Sequence, residues 1–137
     1  MKRSRRITYE LAGDIQERVE DIVRTLDLGY IDTGKVVCLR SHGSSARRVI
    51  ARCHGMSKVL QVALRLEAFY VLEFISERFD KLSGDDQVRT IIHELMHIPK
   101  SFGGGFRFHD HVTGKNVAAM FERYRAAKRR TAGWPGS

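Results

Sequence analysis

Hydrophobic positions change period several times along the chain, and each change predicts a new element. Between Asp14 and Leu26, the residues Ile15, Val19, Ile22, Val23 and Leu26 follow the spacing that gathers side chains on one stripe of an α-helix. Gly29 lies just beyond as a stop signal. After a turn at Asp32-Thr33-Gly34, the run Lys35 to Arg40 is apolar and β-rich, while Ser41 to Ser45 reads as a loop. Val49 to His54 predicts a second strand, closed by Gly55. Ser57 is placed to cap a short helix through Leu66, with Val59, Leu60, Ala63 and Leu64 expected on its inner side. Ala68 to Ile75 is rich in aromatic and β-branched residues and predicts a third strand.

Capping residues return at Leu82 to Asp86 and open a helix expected from Asp85 to Ile98, where Pro99 blocks continuation. Gly103, Gly104 and Gly105 predict a flexible reversal between Phe102 and Phe106. A last helix, Gly114 to Arg129, places Val117, Met120, Phe121 and Tyr124 on one face. Helix, strand, strand, helix, strand, helix, loop and helix in this order predict an α+β fold, with a small sheet covered by helices. A length of 137 residues suits a single domain over 1–137, with a basic arm at 1–7 and a basic tail at 123–137.

Composition adds bounds. An apolar share of 42% and a charged share of 29% are those of a soluble globular chain, and no apolar run is long enough to span a bilayer. The start, Met1 to Arg6, is basic but leads into Ile7-Thr8-Tyr9-Glu10 instead of a signal-peptide core, so a cytoplasmic location is expected. Cys38 and Cys53 form no CxxC pair and are expected as reduced core residues on neighbouring strands. The net charge of +8 is concentrated at the ends, in Lys2, Arg3, Arg5 and Arg6 and in Arg123, Arg125, Lys128, Arg129 and Arg130. Basic ends favour polyanions through counterion release, so nucleic acid is a candidate partner.

The chemistry gathers at His93-Glu94-Leu95-Met96-His97. One helical turn separates the two histidines, so both rings can reach a single ion. Zinc accepts imidazole nitrogen at about 2.0–2.1 Å and favours tetrahedral sites. Glu94, next to the first ligand, stands where a general base for metal-assisted hydrolysis is needed. Val88, Ile91, Ile92, Leu95 and Met96 make the surrounding helix apolar, which strengthens electrostatics at the site.

A catalytic zinc site needs a third protein ligand. His109, Asp110, His111 and Glu122 compete for it. The HExxHxxGxxH pattern fails because Lys100 occupies the glycine position. His109 and His111 alternate, so in an extended stretch they would point the same way. His109 is preferred, with His111 and Glu122 as alternatives. Arg107 and Tyr124 are candidates for stabilising an oxyanion.

The run from His93 through Ile98-Pro99, Phe102, Gly103-Gly104, Arg107 and His109 resembles a metallopeptidase family of archaea and phages. That family shows HELLHIP, then a phenylalanine, a glycine pair, and an arginine two residues before a histidine. The likeness extends to Val36 to Ser41 and Ile75 to Asp80, covering roughly residues 9 to 120. Phe106 and Phe108 stand where leucine and proline would be expected. The resemblance implies a minimal zincin-like fold, a zinc ion on His93, His97 and His109, and hydrolysis of peptide bonds with Glu94 as general base. A nucleic-acid-associated zinc module and a catalytically silent regulatory protein are the alternative functions.

Overall fold

The computed structural model describes residues 6–109 and 111–132. Expectations placed on Lys2, Arg3 and Arg5, on Asp110 and on the tail beyond 132 lie outside the described residues. The elements are β1 (Thr8–Leu11), α1 (Gly13–Thr25), β2 (Val36–His42), β3 (Ala51–Gly55), α2 (Lys58–Leu64), β4 (Tyr70–Ile75), α3 (Ser76–Phe79), α4 (Gly84–Met96) and α5 (Gly114–Ala132). This is an α+β fold, as the element order predicts.

One four-stranded sheet has the order β1-β2-β4-β3. β2 and β4 run parallel, with Val36 beside Tyr70 and Ser41 beside Ile75. The other two pairings are antiparallel. A parallel pair needs a long crossover. Here the crossover carries β3 and α2, so β3 becomes the edge strand beyond β4.

Alternation sorts the strands into two faces. Val36, Cys38, Tyr70, Leu72 and Phe74 join Ile15, Val19 and Ile22 of α1, Ile91, Ile92 and Leu95 of α4, and Val117 and Phe121 of α5 in one buried core. Each such Ile, Leu or Phe contributes about 1.5–3 kcal/mol by leaving water. The opposite face is thinly covered, with Tyr9 and Leu11 exposed.

Polar side chains fix the layers. Gln16 on α1 donates to the Val36 carbonyl at 2.8 Å and accepts from the Cys38 N–H at 2.9 Å, stapling α1 to β2. Arg40 holds Asp14 and Asp80 together at 2.6 and 3.1 Å. The Tyr124 hydroxyl and the Lys128 ammonium both donate to Asp21 at 2.6 Å, joining α5 to α1. No described helix is long and apolar enough to cross a membrane.

Several expectations change. β1 is an additional strand: all four of its residues are exposed, so no apolar alternation announces it. Pairing with β1 also carries β2 through Ser41 and His42, which read as loop. α2 forms under its Ser57 cap, but Val59, Leu60, Ala63 and Leu64 face solvent, and its buried residue is Gln61. Hydrogen bonds from the Gln61 amide to the Met56 and Gly103 carbonyls orient this helix, overriding its apolar pattern. Cys38 and Cys53 are free, as expected, but both are in register with Leu72 on opposite sides of β4, so their strands are not neighbours.

Candidate metal centre

Ser83 begins α4 by accepting from the Asp86 N–H at 3.2 Å, and Asp85 and Asp86 suit the positive end of the helix dipole. The helix ends at Met96, slightly before the expected Ile98, and His97 is its C-cap. The His97 and Ile98 N–H groups bond back to Glu94 and Leu95 in a tightened last turn. His93 and His97 therefore leave the end of α4 on one face, with ring centroids 5.0 Å apart.

His109 reaches them from the following loop. Its ring lies 4.9 Å from that of His97 and 5.4 Å from that of His93. One nitrogen from each of the three rings falls within 4.8 Å of the others. His97 is buried, His93 is half-buried and His109 is exposed.

The ring nitrogens fit a metal ion. His97 Nδ1 donates to the Arg107 carbonyl, which fixes the tautomer and leaves the Nε2 lone pair free for the cluster. His97 Nε2 and His93 Nε2 stand 3.3 Å apart. Two nitrogens bound at 2.0–2.1 Å to one tetrahedral ion would be separated by about that distance, roughly 3.3 Å. Burial, then the neighbouring imidazoles, lower the His93 pKa. Burial also lowers that of His97 against the opposing pull of the Arg107 carbonyl. Both rings therefore favour the neutral, ligating form.

The loop carrying His109 is held in place, where the sequence suggested a flexible reversal. The Tyr70 hydroxyl donates to the Gly105 carbonyl at 2.8 Å and accepts from the Gly104 N–H at 2.9 Å. Gln61 donates to Gly103 at 3.0 Å. Gly104 has φ +97°, and a Cβ there would stand 2.2 Å from the Met56 carbonyl oxygen, so this turn requires glycine. Phe106 then stacks on His97 with its centroid at 4.4 Å and backs that ligand.

The alternatives for the third ligand lie elsewhere. The chain around His109 is a turn, not an extended segment, since the N–H groups of His111 and Val112 both donate to the Phe108 carbonyl. His109 and His111 consequently diverge. His111 Nε2 accepts from the Arg107 guanidinium at 2.9 Å. Glu122 is exposed on α5 near Arg125. Of the oxyanion candidates, Tyr124 has its hydroxyl on Asp21 and Arg107 has its guanidinium on His111.

Glu94 is buried at 5% exposure, and its carboxylate makes no hydrogen bond among the described residues. Its Oε2 lies 4.0 Å from His93 Nε2. Burial alone pushes its pKa up to about 7. A carboxylate in this range accepts and returns a proton near neutral pH.

The three histidines and Glu94 open on a cleft of about 720 Å³ between α4, the start of α5 and the edge strand β3. Its far wall comes from residues 48–54. Sequence spacing gives no hint of this wall, because it lies some forty positions before the histidines. Cys53 is part of it, and burial, then the nearby Glu94, push its thiol up to about 12. The thiol therefore stays protonated and outside the histidine group. His54 also lines the cleft and holds Glu73 at 2.8 Å.

A helix-borne pair of histidines and a third from a pinned loop make a group that could hold a metal ion, with a buried carboxylate beside it. A family model described as Putative phage metallopeptidase matches residues 7–132, and the chain belongs to that family. Comparison with curated proteins and with solved structures found no match.

Proposed function

We propose that this chain is a zinc-dependent peptidase, with His93, His97 and His109 as the metal ligands and Glu94 as the general base. The observation that carries this reading is the convergence of three imidazole nitrogens within 4.8 Å beside the buried Glu94. Three neutral nitrogen donors suit zinc and leave a fourth tetrahedral position for water or substrate.

Bound there, zinc would act as a Lewis acid that acidifies a water molecule and polarises a peptide carbonyl. The protein supplies the rest. The Arg107 carbonyl keeps His97 in the ligating tautomer, and the stacked ring of Phe106 limits its rotation. Glu94 accepts the proton that water loses and delivers it to the departing amine nitrogen. Its burial raises its proton affinity, and a carboxylate so placed suits general acid–base work. The apolar shell of Ile91, Ile92 and Leu95 keeps the local dielectric low, so each charge acts at greater strength.

Zinc content and peptide cleavage by purified protein test this reading. Wild-type and Glu94→Gln protein should each carry one zinc per chain, with turnover reduced by about 10²–10⁴-fold in the variant. His109→Ala should lose zinc while His111→Ala keeps it. Stoichiometric zinc in His109→Ala, or undiminished cleavage by Glu94→Gln, would refute the assignment.

A further inference from the structure

Four formally charged side chains line the cleft: Arg48, Arg52, Arg89 and Glu94. Glu94 is buried, so the accessible charge around the opening is basic. The three arginines are not equivalent. Arg52 faces Glu73 at 3.6 Å. Arg89 is fixed by Asp86 at 2.8 Å and packs over the Phe121 ring at 4.1 Å. Arg48 makes no ion pair or hydrogen bond among the described residues and is exposed.

The backbone on either side of Arg48 is anchored. The Ile50 carbonyl accepts from the Ile75 N–H at 2.9 Å, and the Ala46 carbonyl accepts from Arg78 at 3.4 Å. Arg48 thus lines the same cleft as the three histidines, on an anchored stretch of backbone, with its guanidinium donors unpaired among the described residues. Its planar fork matches a carboxylate in a two-point, charge-assisted contact. The charge of Arg89 is offset by Asp86 and that of Arg52 faces Glu73, so the attraction for an anion rests on Arg48.

We propose that Arg48 binds a carboxylate of the peptide substrate, so that the cleft selects acidic peptides. This rests on the peptidase reading for the nature of the ligand, while the carboxylate contact itself is independent of turnover. An Asp or Glu side chain and a free C-terminus present the same chemistry, and the experiment separates them.

Full-length, zinc-loaded Glu94→Gln protein is titrated with short fluorescent peptides of one base sequence, read by anisotropy at low salt. One peptide has a central Glu and an amidated end, one has Gln and an amidated end, and one has Gln and a free end. The Glu peptide should bind about tenfold more tightly than the amidated Gln peptide, the worth of one charge-assisted contact. Adding Arg48→Ala should abolish that advantage, and adding Arg48→Glu should transfer it to a peptide with a central Lys. Tighter binding of the free-ended peptide alone, lost in Arg48→Ala, would support the site and identify the terminal carboxylate as its ligand. Equal binding of all three peptides, or a preference that survives Arg48→Ala, would overturn the proposal. Cleavage of the tightest-binding peptide by wild-type protein separates the two readings. Acidic preference without any cleavage sinks the peptidase and leaves the carboxylate site standing. Cleavage without charge preference does the reverse.

Discussion

Arg107 grips His97 at two points through its backbone: its N–H donates to the His97 carbonyl at 2.8 Å, and its carbonyl accepts from the His97 ring. The side chain of Arg107 takes no part in this clamp. Arg107→Ala should therefore leave zinc affinity unchanged. Arg107→Pro, which removes the donor and restricts the backbone, should lower it by about 10–100-fold, the usual cost of disturbing a ligand's supporting bond. Competition with a chromogenic chelator measures both, and equal affinities for the two variants would show that the clamp is idle.

Glu94 gives the metal-free protein a specific pH response. Its folded pKa is raised from 4.5 to about 7, so its contribution to stability is complete below 4.5 and is lost as pH rises through 7. In chelator, Glu94→Gln and wild-type protein should be similarly stable at pH 5. At pH 8 the variant should be the more stable, by on the order of 2–3 kcal/mol. His93 and His97, with lowered pKa values, act in the opposite direction as pH falls below 6.5 and are common to both proteins. Urea midpoints at the two pH values read the difference; a constant offset between the proteins would contradict the burial of an ionisable Glu94.

Gly104 should be intolerant of any side chain. Its φ is +97°, and a Cβ would meet the Met56 oxygen at 2.2 Å, so Gly104→Ala should cost about 2–4 kcal/mol and weaken zinc binding through His109. Gly84→Ala is the control, because its Cβ would meet nothing within 4 Å at the first turn of α4. That variant should be neutral or more stable by up to about 1 kcal/mol. Thermal melts of the two, with and without zinc, distinguish a strained turn from general sensitivity to substitution.

Tyr124 belongs to the scaffold. Its hydroxyl and Lys128 both serve Asp21, and although burial tends to raise the pKa of that carboxylate, these two partners hold it below its usual value. Tyr124→Phe should destabilise the protein by about 1–2 kcal/mol and leave zinc affinity and turnover intact. A large fall in turnover with unchanged melting would return Tyr124 to the chemistry.

The features readable in the sequence are those with a strong local period or a strong chemical requirement. α1 and α4 carry apolar stripes that meet the core, and the histidine spacing on α4 is enough to put two rings on one face. β1 is not readable, because Thr8 to Leu11 are all exposed and the strand exists through pairing with β2. The apolar pattern of α2 points the wrong way: the helix turns Gln61 inward to bond the Met56 and Gly103 carbonyls and leaves Val59, Leu60 and Leu64 exposed. The divergence of His109 and His111 depends on one turn closed at the Phe108 carbonyl, which residue types alone do not specify. The cleft wall at 48–54 depends on the antiparallel pairing of β3 with β4 across the intervening α2, a tertiary choice with no local signature.

The three imidazoles belong to one stretch, positions 93 to 109, whereas the wall opposite them arrives from residues 48–54 on the sheet's outermost strand. Edge strands are among the first parts of a sheet to open. Because Gly55 at the end of β3 and the following Met56 pack against the Gly104 turn, loosening that edge under mild denaturant should weaken ligand recognition and hold on the ion together.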